Sequence, residues 1–132
     1  MKGWMRPSIV LVAVLVPVGC SGKPDPETPA TTERKAQLRE VYELLLLHEQ
    51  QKKRPAGGVQ DLRPYENAFP AGFATIRNGK VAVSWGAAVA GPEGVLAYEK
   101  KTPTEGRWVV LQGGQVKELS PDEFKAAPKA KK

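Results

Sequence analysis

Residues 80–119 read KVAVSWGAAVAGPEGVLAYEKKTPTEGRWVVLQGGQVKEL. Four short runs in this stretch are rich in β-branched and aromatic residues, and turn residues separate them. In Lys80–Trp85, Val81, Val83 and Trp85 alternate with smaller residues, the period of a strand with one buried face. Val95–Lys100 follows a Gly-containing segment, Gly86–Gly94, and Arg107–Gln112 follows Pro-Thr-Glu-Gly. Gln115–Leu119 follows Gly113-Gly114, a two-residue hairpin signal of the I′ or II′ kind. Regular spacing and short connections predict an antiparallel meander of four strands. Gly86–Gly94 matches neither a Walker A nor a GxGxxG phosphate loop, and it reads as a flexible connection.

Upstream lies the strongest helix signal, Thr32–Arg54. Thr32 can cap its start, Glu33 sits in the first turn, and Lys52, Lys53 and Arg54 sit in the last, as the helix dipole favours. Leu38, Val41, Tyr42 and Leu45 fall on one face, and Leu44, Leu46 and Leu47 widen it. This predicts a core helix laid on the sheet, with a coiled-coil partner site as the functional alternative. Val59–Tyr65 reads as a turn or half-helix anchored by Leu62. Pro70 opens a second short helix that Asn78-Gly79 ends. Downstream, Ser120-Pro121-Asp122-Glu123 is a capping box, and a short helix Pro121–Ala127 turns Phe124 inward. The fold class is therefore α+β: a long N-terminal helix packed on a four-stranded antiparallel meander, with a short C-terminal helix.

The chain has 132 residues, 41% apolar and 26% charged, which fits one domain. Its net charge is +6. Residues 1–19, 20–120 and 121–132 each contribute +2. The basic surplus lies mostly at the two ends, which argues against a nucleic-acid-binding face.

The N-terminus reads as an export signal. Lys2 and Arg6 precede eight uninterrupted apolar residues, Ile9–Val16. A spanning helix needs about 20, so the run is a signal-peptide core. Val18-Gly19-Cys20-Ser21 follows. It resembles a bacterial lipoprotein signal, in which a small residue precedes the lipidated Cys; Pro17 stands where Leu is usual. Cys20 is the only cysteine, so it cannot form an internal disulfide. The resemblance implies lipidation at Cys20 with more than one acyl chain, which makes a firm anchor. Ser21 after the Cys implies transfer to the periplasmic face of the outer membrane in a Gram-negative envelope. The expected layout is a signal peptide at 1–19 and a lipidated Cys with a flexible tether at 20–32. One domain at 33–127 and a mobile basic tail at 128–132 complete it. Pro-rich and polar, the tether can hold the domain up to about 35 Å from the bilayer.

A second resemblance rests on Gly79-Lys80-Val81-Ala82-Val83-Ser84-Trp85-Gly86, Val95-Leu96-Ala97-Tyr98-Glu99-Lys100, the Gly-Gly hairpin and Pro121-Asp122-Glu123-Phe124. Over roughly residues 59–127 this order is similar to pilin-like secreted proteins of planctomycete-type bacteria. It implies a pilin-like α+β roll and no known activity. Gly113-Gly114 stands where that pattern has Asp-Gly, and a lipobox stands in place of a prepilin site with an apolar stalk.

Chemistry-bearing residues are sparse. His48 is the only histidine, and a metal site needs more ligands than it and Cys20 supply. Near the end of its helix it reads as a charged or hydrogen-bonded surface group. Glu40 and Glu43 read as a solvated edge, and Glu99 as a cross-strand partner of Arg107. No catalytic residue, metal or cofactor is expected. Trp85, Tyr98 and Trp108 lie on three predicted strands and form the candidate binding face, although core packing is the commoner role of such residues. The reading is a non-enzymatic envelope lipoprotein, a structural or interaction module on a membrane. Its partners are the membrane, through Cys20, and an envelope protein or wall polymer, with no nucleic acid. Alternatives are an accessory of a pilin-like secretion system, or a cell-wall hydrolase or hydrolase inhibitor.

Overall fold

A computed structural model describes residues 3, 28–105 and 107–132. The export signal, Cys20 and most of the tether lie outside the described residues. Helix α1 runs Pro29–Lys52 and α2 runs Val59–Leu62, continuing as a 3-10 turn over Arg63–Tyr65. Then come α3 (Pro70–Arg77), β1 (Val81–Val83), β2 (Val95–Glu99), α4 (Thr102–Glu105), β3 (Arg107–Leu111), β4 (Val116–Leu119) and α5 (Pro121–Ala126). The strands form one antiparallel sheet in the order β1-β2-β3-β4. The α+β class and the meander are as the strand pattern predicts. α4 has no counterpart in the sequence reading.

α1 starts earlier than the Thr32 signal suggests. Thr28 is its N-cap, accepting from the Thr31 N–H at 3.2 Å, and Pro29 takes the first helical position. Proline suits that place, because its missing N–H would have no partner there anyway. The helix ends at Lys53, which sits at φ 58° and donates its N–H to Glu49 O at 2.8 Å.

The sheet is covered on both faces. On one, α1 packs Leu38, Val41, Leu44 and Leu45 against Leu96, Ala97 and Val110, with Leu62, Phe73 and Ile76 alongside. On the other, Phe124 of α5 closes over Val95, Val109 and Leu111. Leu96 and Ala97 are neighbours yet join the same cluster. A register shift between Val95 and Ala97 accounts for this: a bulge adds one residue and breaks the alternation. The hairpin after β3 is longer by one than the Gly-Gly signal implies. Leu111 N–H donates to Gln115 O and Gly114 N–H to Leu111 O, enclosing Gln112-Gly113-Gly114. Gly113 and Gly114 sit at φ +91° and +94°, where a side chain is strained.

Three expectations are corrected. His48 is buried, 1% exposed, with its ring edge toward Tyr65. It continues the Val41–Leu44/Leu45 stripe one turn further, and the 3-10 turn covers that end of α1. Gly86–Gly94 is not a loose connection. Ala87 and Val89 are buried, the Val89 N–H donates to Glu49 at 3.0 Å, and Gln112 Nε2 donates to Ala88 O at 2.8 Å. Two side chains from distant elements thus satisfy its backbone, and two apolar anchors hold it in the core.

The basic tail is docked rather than free. Lys129 bridges Val95 in parallel: Val95 N–H donates to Pro128 O at 2.8 Å and Ala130 N–H to Val95 O at 3.0 Å. β1 ends before reaching Val95, so the tail takes the vacant edge of β2. The Lys129 ammonium lies 4.1 Å from the Phe124 ring centroid and donates to Phe124 O and Ala127 O. Burial pushes its pKa below the usual lysine value. Deleting Pro128–Lys132 removes two backbone hydrogen bonds and the packing of Ala130, an expected loss of about 1–3 kcal/mol. Urea denaturation checks this. Removing only Lys131-Lys132 should cost less than about 0.5 kcal/mol.

Candidate functional site

Tyr98 lies on the opposite face of the sheet from Trp85 and Trp108. Tyr98 packs on Phe124, ring centroids 4.8 Å apart. Trp85 and Trp108 pack against the α1-side core. All three are half-buried, so the predicted residues do not form one exposed aromatic face. Over Trp108 sits the Lys35 ammonium, 4.5 Å from the ring centroid, and the buried indole N–H has no hydrogen-bond partner among the described residues.

A concavity lies elsewhere, at the end of the sheet beside the first turns of α1. It is a groove of about 760 Å³ lined by Arg34, Gly79, Lys80, Glu99, Lys100, Lys101 and Arg107. Among its described lining residues are five cations and the Glu99 carboxylate. Four places supply the cations: Arg34 from α1, Lys80 from the turn before β1, Lys100 and Lys101 from just after β2, and Arg107 from the start of β3. Glu99 is committed within the fold. Arg34 Nε and Nη2 each donate to it at 2.7 Å, a bidentate pair, and the Trp108 backbone N–H donates at 3.0 Å. The fork fixes Arg34 in position, and with it the near wall of the groove. The strand pattern pairs Glu99 with Arg107, but the α1 arginine that clamps it lies 65 residues away.

Lys80 and Lys100 face each other across the β1–β2 ladder, the Lys100 N–H donating to Lys80 O at 2.9 Å. Like charges in directly opposed positions are unfavourable. Lys101 follows at once. All three lysines are exposed and make no ion pair among the described residues. Next to this basic groove runs a second, apolar one of about 300 Å³, walled by Val59, Ile76, Val81, Val83 and Trp85. Gly79 and Lys100 line both.

Two acids of α1 and one of α2 hold the fold. Glu40 accepts from the Gly72 N–H at 2.7 Å, capping α3, whose own preceding residue, Phe69, offers no side-chain cap. Glu49 holds the Val89 loop. Asp61 accepts from the Gly57 N–H at 2.9 Å, which lowers its pKa. Among the described residues no group of three His, Cys, Asp or Glu could hold a metal ion. None of their helices is long and apolar enough to cross a membrane.

Comparison of the chain with protein families, curated proteins and solved structures returned no match.

Proposed function

We propose that this chain is a non-enzymatic envelope lipoprotein, held by a lipid on Cys20, whose α+β domain is displayed at a membrane as an interaction module. The observation that carries this reading is Gly19-Cys20 directly after a short apolar run behind a basic N-terminus. The groove supports it: its wall is rich in charge and it lies near the N-terminal turns of α1. A Gram-negative host would place the anchor at the periplasmic face of the outer membrane. In the cell, wild-type protein should label with palmitate and partition into detergent. Cys20→Ser should abolish both, releasing the protein or leaving a precursor. Soluble wild-type protein with a free thiol at Cys20 would overturn the proposal.

A pilin-like roll is a second reading, favoured by the long α1 lying across an antiparallel meander. It makes the chain an accessory of a pilin-type secretion machine. Crosslinking in the native envelope should then trap a component of that machine.

A further inference from the structure

We infer that the basic groove and its apolar neighbour form one site for an acidic phospholipid of the membrane that anchors the chain. The headgroup phosphate lies among Lys80, Lys100, Lys101 and Arg107, and the first acyl methylenes run along Val81, Val83 and Trp85. This rests on the lipid-anchor reading above.

Three observations converge on that ligand. First, the opposed Lys80 and Lys100 with Lys101 beside them concentrate positive charge at one edge. The Glu99 carboxylate there is already held by Arg34 and the Trp108 N–H. An anion entering between the lysines relieves their repulsion. Second, the two grooves share Gly79 and Lys100. A cationic end that opens directly into an apolar trough matches an amphiphile with an anionic head. A nucleic-acid backbone or a free phosphate would use only the first half. Third, the site lies near the anchor. Arg34 is about 8 Å along the helix from Pro29, and the chain from Cys20 to Thr28 can span no more than about 28 Å. Surface charges act over roughly 8 Å at physiological salt. A domain on so short a leash meets its own bilayer constantly, and anionic headgroups attract clustered lysines there.

The glycine at the junction suits this geometry. Gly79 sits at φ +73°, and a Cβ there would stand 3.6 Å from the Lys100 ammonium, at the rim where the head would enter.

The test uses the full chain as purified from cells, reconstituted in phosphatidylcholine nanodiscs with or without about one-third phosphatidylglycerol. Lysine acetylation rates are read by mass spectrometry. Lys80, Lys100 and Lys101 should be protected about fivefold or more in the anionic discs, while Lys52, Lys53 and Lys117 react equally in both. Protection should vanish in about 1 M salt, where the screening length falls to roughly 3 Å. A photoactivatable phosphatidylglycerol should crosslink to the 79–85 segment of wild-type protein and not to the Lys80→Gln/Lys100→Gln/Lys101→Gln variant. Equal acetylation in both discs, or crosslinks absent from 79–85, would overturn the site. Displacement of the lipid by duplex DNA, with no displacement by soluble glycerophosphoglycerol, would also overturn it in favour of a polyanion. The Cys20 peptide mass in the same sample separates the two readings. An unmodified Cys20 with protected lysines overturns the anchor and keeps the groove; a lipidated Cys20 with unprotected lysines does the reverse.

Discussion

Gly72→Ala should destabilise the fold by about 2–4 kcal/mol, although alanine is the better helix former. A Cβ at Gly72 would stand 2.6 Å from Glu40 Cβ, 2.8 Å from Glu40 C and 2.9 Å from Val41 N. Two of these three atoms are backbone, so no side chain can rotate away. α3 would have to lift off α1, taking with it Phe73 and Ile76, both buried. The same shift would stretch the 2.7 Å bond from the Gly72 N–H to Glu40. Overpacking costs about 1–3 kcal/mol, and a hydrogen bond to a charged group contributes about 1.5–3 kcal/mol. Against this, Gly to Ala in a helix interior gains roughly 1 kcal/mol. Guanidinium denaturation of the variant decides the sign. Unchanged or increased stability would mean that the two helices do not approach so closely. Glu40→Gln is the control. It keeps the close approach and loses only the charge of the cap, so it should cost about 1 kcal/mol.

Leu44→Ala is expected to cost about 3–5 kcal/mol. The side chain is fully buried in the cluster between α1 and the sheet. Truncation leaves a void within that cluster, and Leu→Ala losses rise with the cavity that remains. Leu45→Ala, at a position 4% exposed, should fall toward the lower end of the roughly 2–5 kcal/mol range. The checking measurement is the urea midpoint at unchanged slope. A loss below about 1 kcal/mol for Leu44→Ala would show that the site collapses around the smaller residue.

The α+β class, the four-stranded meander and most element positions were legible in the chain because their signals are local. Alternation of Val81, Val83 and Trp85, the Gly113-Gly114 pair, Pro70 before a short helix and the Ser120–Glu123 capping box each act within a few residues. The capping box forms as its spacing predicts, with Ser120 Oγ accepting from the Glu123 N–H at 3.2 Å and Glu123 Oε1 from the Ser120 N–H at 3.1 Å. The stripe of α1 was equally readable, since Leu38, Val41 and Leu45 follow the helical period. Nothing local told His48 from a surface group, because its burial comes from a neighbouring segment and not from its own helix.

What only the tertiary structure decided was how distant residues meet. The Glu99–Arg34, Glu40–Gly72 and Glu49–Val89 contacts span 65, 32 and 40 residues. Glu40, which reads as solvated in sequence, becomes the cap of α3, and Glu99, which the strand pattern pairs with Arg107, is clamped by Arg34. The charge of the chain behaves in the same way. Read along the sequence, residues 20–120 are nearly balanced. Folded, they bring Arg34, Lys80, Lys100, Lys101 and Arg107 to one groove. Strand periodicity determines which residues share a face of the sheet, but the end at which charges accumulate depends on register and on where α1 crosses. The docking of Lys129 on Val95 has the same origin. β1 stops after Val83 and leaves an unpaired edge on β2, and the tail satisfies backbone groups that would otherwise lose hydrogen bonds on burial.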